Sequence, residues 1–184
     1  MAYFKLSEEL NHIKLSFLIL LSLFLLPLSA YCAPEDTQLR AAFIYQFTHY
    51  IEWQNPPSPF QIDIIEDQAL YEALLDSTKD KKVGISNINI RLVKIDQFSN
   101  DYFSKSQMVI LPKGSSKEIM KEVQTLKKGT ALTISYGEGL APEGSDINFF
   151  MMDSHLRFEI NLKAVEFKKI KISSQLLRLG KIYE

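Results

Sequence analysis

LRFEINLKAVEFKKIKISSQLLRLGKI, residues 156–182, is the stretch that decides the fold. Its opening alternates. Leu156, Phe158, Ile160 and Leu162 fall on one face, and Arg157, Glu159 and Asn161 on the other. Alternation with period two marks a strand with one buried face, because successive side chains point to opposite sides of the pleat. From Ser173 the period lengthens. Leu176, Leu177, Leu179 and Ile182 recur at helical spacing behind a serine that can cap the first turn. The stretch carries no nucleophile, metal-ligand cluster or phosphate loop. It reads as architecture, and it points to a binding or signalling module rather than an enzyme.

The other end of the chain is equally telling. Residues 15–28 (LSFLILLSLFLLPL) form a charge-free apolar run of 14 residues, preceded by Lys5 and Lys14 and followed by the small residues Ser29, Ala30 and Ala33. A bilayer-spanning helix needs about 20 apolar residues. A charged start, a short apolar core and a small-residue exit describe a secretory leader instead. Glu8 and Glu9 cancel the two lysines, an unusual leader start. Ala30 and Cys32 suit cleavage after position 32, which gives a leader of residues 1–32 and a domain of residues 33–184. Tyr31 stands where lipid-attachment signals carry a small residue, which argues against an anchor on Cys32.

The remaining length suits one domain with one core. Of 21 basic and 22 acidic residues two of each lie in the leader, so the mature chain carries 19 and 20, a net of −1. That balance favours neither nucleic acid nor an acidic membrane surface. Cys32 is the only cysteine. The mature domain is therefore expected to hold together by packing, without disulfides, and to use neither thiol catalysis nor a cysteine-bound metal.

Residues 34–37 open a helix in which Leu39, Phe43, Phe47, Tyr50 and Ile51 form an apolar stripe, ending near Trp53 and the prolines at 56, 57 and 59. FQIDIIE (60–66) reads as a strand, and Asp67 caps a helix carrying Leu70, Ala73 and Leu74. Residues 77–84 read as a solvated loop and residues 88–93 as a further strand. Residues 108–111 form a short buried strand. Ser115 and Glu118 make a capping box before a helix bearing Ile119, Val123 and Leu126, with Gly129 at its end. Residues 131–135 and 147–151 are strands joined by the irregular loop 137–144, and 152–155 suits a hairpin turn. Strands alternating with helices predict an α/β fold: a single three-layer domain with a mixed, mostly parallel sheet flanked by helices.

Catalytic candidates are few. His49 sits among aromatics on the first helix, and His155 lies at a predicted turn. Neither has a partner at ligand spacing, so no metal site and no cofactor are expected. Asp63, Glu66 and Asp67 cluster at a strand end, where a helix cap explains them better than acid–base chemistry. The loop 137–144 is glycine-rich but matches no phosphate-binding pattern. Lys163, Lys168, Lys169, Lys171, Arg178 and Lys181 read as a solvated basic face. Arg157, Glu159 and Asn161 share the polar face of one strand. If helices cover it they must be paired, in a structural network or a contact site for ligand or partner. Tyr45 lies off the apolar stripe and is the other candidate contact residue. No residue is proposed as catalytic.

The segments AAFIYQFTHYIEW (41–53), INF (147–149) and RFEINLKAVEFKKIKISSQLLRLGKI (157–182) together resemble the YfiR family, over a span from about Thr37 to the C-terminus. The resemblance implies a periplasmic α/β protein without catalytic activity. It implies a partner in the periplasmic domain of an inner-membrane signalling protein, a diguanylate cyclase as for the family's namesake or a histidine kinase. A homodimer stays open, and nucleic acid is excluded. Gln54 replaces the usual proline after the tryptophan, Ser145 and Asp146 stand where glycine and methionine are common, and the namesake's structural cysteines are missing. The last departure speaks against redox control of partner binding, because no disulfide is expected within the mature chain. A periplasmic small-ligand-binding protein serving a transporter or sensor is the alternative, with a cleft beside Arg157 and the glycine-rich loop.

Overall fold

The structure is a computed structural model that describes residues 35–53, 58–97, 102–114, 119, 130–138, 140–143 and 145–183. All of them fall within the compact unit Ala33–Glu184. The leader and its cleavage site lie outside the described residues. So do the capping box at 115–118, most of the helix expected after it with Gly129, and the prolines at 56 and 57.

An eight-stranded sheet organises the chain. In chain order, helix α1 (Glu35–Tyr50) runs into the short β1 (Ile51–Glu52), followed by β2 (Phe60–Ile65), α2 (Gln68–Thr78), β3 (Lys82–Val83), β4 (Ser86–Val93) and β5 (Met108–Ile110). Then come β6 (Leu132–Tyr136), α3 (Leu140–Glu143), β7 (Ile147–Met152), β8 (His155–Asn161), α4 (Leu162–Phe167), β9 (Lys171–Ile172), α5 (Ser174–Leu179) and β10 (Lys181–Tyr183). The sheet order is β10-β8-β7-β6-β5-β2-β4-β3. The five central strands β7, β6, β5, β2 and β4 are mutually parallel, β8 runs antiparallel to β7 and β3 to β4, and β10 is parallel to β8. β1 and β9 make a separate antiparallel pair.

Burial follows the pleat. Phe60, Ile62, Ile64, Met108, Ile110, Leu132, Ile134, Phe149, Phe158 and Ile160 point into one core, where α1, α2 and α5 contribute Ile44, Phe47, Leu70, Leu74 and Leu176. Ile65, Val93, Val109, Leu111 and Phe103 form a second cluster on the opposite face, with Ile119 and Leu140 of α3 packed against it. The expected layers are therefore present, and β5 is apolar throughout because both of its faces are covered. Phe158 sits in an aromatic cluster, with ring centroids 5.6 Å from Phe43, 5.3 Å from Phe47 and 6.4 Å from Phe149.

Several local expectations hold in detail. Asp67 caps α2, accepting from the Leu70 amide at 3.0 Å. Ser173 caps α5, accepting from the Leu176 amide. The β7–β8 hairpin pairs Met152 with His155, and Asp153 and Ser154 take the positive φ values that a two-residue hairpin turn requires. Others need correction. Of the expected stripe, Phe47 and Ile51 are buried and Phe43 and Tyr50 pack against the core, but Leu39 is exposed, and Thr37, Arg40, Ala41, Ile44 and Thr48 complete the buried face of α1. Strand β8 stops at Asn161, whose side chain caps α4 through the Ala164 amide. Helix α5 ends at Leu179. Gly180 then turns the chain, and Ile182 lies on β10 rather than on a helix. The lysine-rich stretch 77–84 contains the end of α2 and strand β3, and the glycine-rich loop contains α3.

Candidate functional site

The four candidate contact residues do not converge. Tyr45 is half-buried on α1, with its ring edge-on to His49 at 4.8 Å and the Lys81 ammonium 4.4 Å over its face. Arg157 is exposed on the hairpin. Glu159 and Asn161 are buried. The Asn148 amide donates to Glu159 Oε1 at 2.9 Å, and the Ser135 hydroxyl donates to Asn148 Oδ1 at 2.8 Å while its oxygen lies 2.7 Å from Ser145 Oγ. Glu159 and Asn161 thus serve as a network member and a helix cap. His155 is exposed, its Nδ1 2.6 Å from the Asp153 carbonyl.

The rest of that polar face is an ion-pair chemistry missed in the sequence. Lys168 was expected on a solvated face, yet its ammonium is fully buried. It donates to Asp146 Oδ2 at 2.6 Å and to the Ala131 carbonyl at 2.9 Å. The same Asp146 oxygen accepts from the Thr133 amide at 2.6 Å and hydroxyl at 2.7 Å. Further along the sheet, Arg91 forms two bonds to the buried Asp63 at 2.7 and 2.8 Å, and its guanidinium lies 4.8 Å from the Tyr102 ring centre. The hydrogen bond that Arg91 donates to Asp63, and then the Asp63 charge, raise the Arg91 pKa against the opposing effect of burial. Ser145 and Asp146, two of the departures from the family pattern, both lie inside these networks.

Two places in the fold have the geometry of a site. One is the carboxyl edge of the parallel strands. The sheet order places β4 on one side of β2 and β5 on the other, so the winding reverses between β2 and β5. In open α/β sheets ligands enter at such a point. Here the chain's own α1 occupies it. Arg40, 3% exposed, reaches Asp67 after β2 at 3.1 Å, and its guanidinium lies 4.7 Å over the ring of Tyr136 at the end of β6. Tyr136 donates to Asp36 at 3.0 Å, and Lys113 after β5 lies 3.4 Å from the same carboxylate. Burial works to raise the Asp36 pKa. The Tyr136 hydrogen bond and the Lys113 and Arg40 charges overcome it and hold the carboxyl below its ordinary value. Burial, then the bond to Asp36, pushes the Tyr136 phenol up.

The other place is the amino edge, where a cavity of about 820 Å³ opens between the end of α1 and the α4–β9 turn. Trp53, Pro59 and Ile170 give it an apolar wall, and Gln61, Lys105 and Lys169 are among its polar lining. Trp53 is held in place by its Nε1 bond to the Thr48 carbonyl at 3.2 Å and by the edge-on ring of Phe60 at 5.0 Å. No group of three or more His, Cys, Asp or Glu side chains among the described residues could hold a metal ion. None of the described helices is long and apolar enough to cross a membrane.

Comparison with known proteins places this geometry. The fold resembles an ABC domain from Streptococcus pneumonia crystallised in complex with L-Trp, at a TM-score of 0.55 and 10% identity, over 80% of this chain. The chain spans 60% of the length of that structure, and the likeness is one of fold. No curated protein matches the sequence. The model of the YfiR/HmsC-like family matches residues 37–181, from the first turn of α1 to the start of β10, and the chain belongs to that family.

Proposed function

We propose that this chain is an exported, non-enzymatic regulatory protein that binds the periplasmic domain of an inner-membrane signalling protein, in the first instance a diguanylate cyclase, and lowers its output. The observation that carries the reading is membership of the YfiR/HmsC-like family across nearly the whole described domain. Two further features support it. The charged side chains that could do chemistry on the sheet are tied into pairs, Asp63 with Arg91, Asp67 with Arg40 and Asp146 with Lys168. The carboxyl-edge crevice, where a solute-binding α/β domain would take its ligand, is filled by Arg40 and its partners.

Crosslinking in living cells, followed by identification of the captured membrane protein, tests the partner. Deleting the gene is expected to raise cyclic-di-GMP. Recovery of a transporter alone, with signalling unaltered in the deletion strain, would replace this reading by solute binding. Fractionation with N-terminal sequencing tests export: a product that keeps Met1 and stays in the membrane contradicts it.

A further inference from the structure

We infer that the amino-edge cavity is a binding site for a small organic anion, a carboxylate or phosphate, with Lys105 and Lys169 as its charge partners and Trp53 as the wall against its apolar body. The cavity's volume of about 820 Å³ is that of a small-molecule site. Its charged lining is unequal in availability. Lys168 contributes only its stem, because its ammonium is spent on Asp146 and the Ala131 carbonyl. Glu52 lies 3.6 Å from Lys171, its cross-strand neighbour. Lys105 and Lys169 line the cavity and make no ion pair among the described residues, so among these they are the lysines left to meet an anion beside the apolar wall.

The backbone supplies an independent observation. Lys169 holds φ of +57°. It follows the last turn of α4, where its amide bonds the Glu166 carbonyl at 2.9 Å and the Ile170 amide bonds the Val165 carbonyl at 3.1 Å. That pair of bonds is the Schellman closure, whose left-handed residue is ordinarily glycine or asparagine. Of the other non-glycine residues at positive φ, Asp80, Asp153 and Ser154 are short polar turn residues suited to it, and Glu66 is the other long side chain held there. A lysine at this position holds an unfavourable backbone conformation in a residue that lines the cavity. The site is independent of which membrane protein the chain binds.

The test uses the purified protein and its one tryptophan, Trp53, as the reporter. Phenyl phosphate and benzoate are titrated separately, with neutral benzyl alcohol as control. Saturable change in Trp53 fluorescence with one or both anions, and none with the alcohol, is expected; the anion that saturates at lower concentration distinguishes phosphate from carboxylate. Lys169→Gly removes the cation and relieves the backbone, so it should weaken binding by about tenfold while the melting temperature holds or rises. Lys105→Gln should weaken binding similarly. Absence of saturation with either anion overturns the inference, as does binding that Lys169→Gly and Lys105→Gln leave unchanged.

Discussion

Lys168→Met isolates the buried ion pair. Methionine keeps most of the side-chain length and removes the ammonium. Both partners of the pair are fully buried. After the change Asp146 keeps its two bonds from Thr133. Its Oδ1, which has no hydrogen-bond partner, stays unsatisfied, and its charge has no cation within reach. Removing one partner of a buried pair costs about 3–5 kcal/mol, against a total stability of about 5–15 kcal/mol for a domain of this kind. With a urea slope of about 2 kcal/mol/M the midpoint should fall by roughly 2 M. Urea unfolding followed by circular dichroism measures it. Adding Asp146→Asn keeps an acceptor for the Thr133 amide and deletes the stranded charge. The double variant should therefore be more stable than Lys168→Met alone by about 1 kcal/mol or more. A single variant within about 0.5 kcal/mol of wild type, the range of ordinary surface changes, would refute the reasoning. So would a double variant that loses the sum of the two single effects.

Other outcomes follow from the same coordinates. Phe158→Ala should cost about 3–5 kcal/mol, because it empties the centre of the cluster formed with Phe43, Phe47 and Phe149, and should yield a poorly soluble protein in expression trials. Gly180→Ala should cost about 1–3 kcal/mol by thermal unfolding, since the added methyl would stand 2.5 Å from the Phe158 ring with Ile160 at 3.2 Å. Asp36 has a depressed folded pKa, so its contribution is complete above the ordinary carboxylate value of about 4 and is lost as the pH falls below it. Asp36→Asn should therefore flatten the acid limb of a stability–pH profile, and an unchanged limb would count against the carboxyl-edge network.

The closure of the carboxyl edge bears on how such a domain could regulate a partner. Helix α1 is tied across the ends of β2, β5 and β6 by side chains of both charges. A surface closed in this way offers a fixed shape to a macromolecular partner. The amino edge is different, with a cavity and two lysines that lack acidic partners among the described residues.

Much of the fold was present in local pattern. Period-two alternation located β8 and β4, side-chain caps located α2 and α5, and an unbroken apolar run located β5, because strand, cap and burial preferences act over a few neighbouring residues. The family resemblance was equally legible, in three segments that the family model spans. What the sequence by itself could not decide was which polar residues meet. Lys168 looked like one more surface lysine until β6 and β7 brought Ala131 and Asp146 against it, 37 and 22 positions away in the chain. Arg40 lay one residue from an apolar stripe drawn through Leu39, and only packing against Asp67 and Tyr136 decided that Arg40 is inside and Leu39 outside. The short strands β1, β3, β9 and β10 had no signal of their own, being two or three residues long and defined by the partner they pair with. Pattern sets the local element. The desolvation cost of each charge, and the partner that offsets it, is set only when distant segments close on one another.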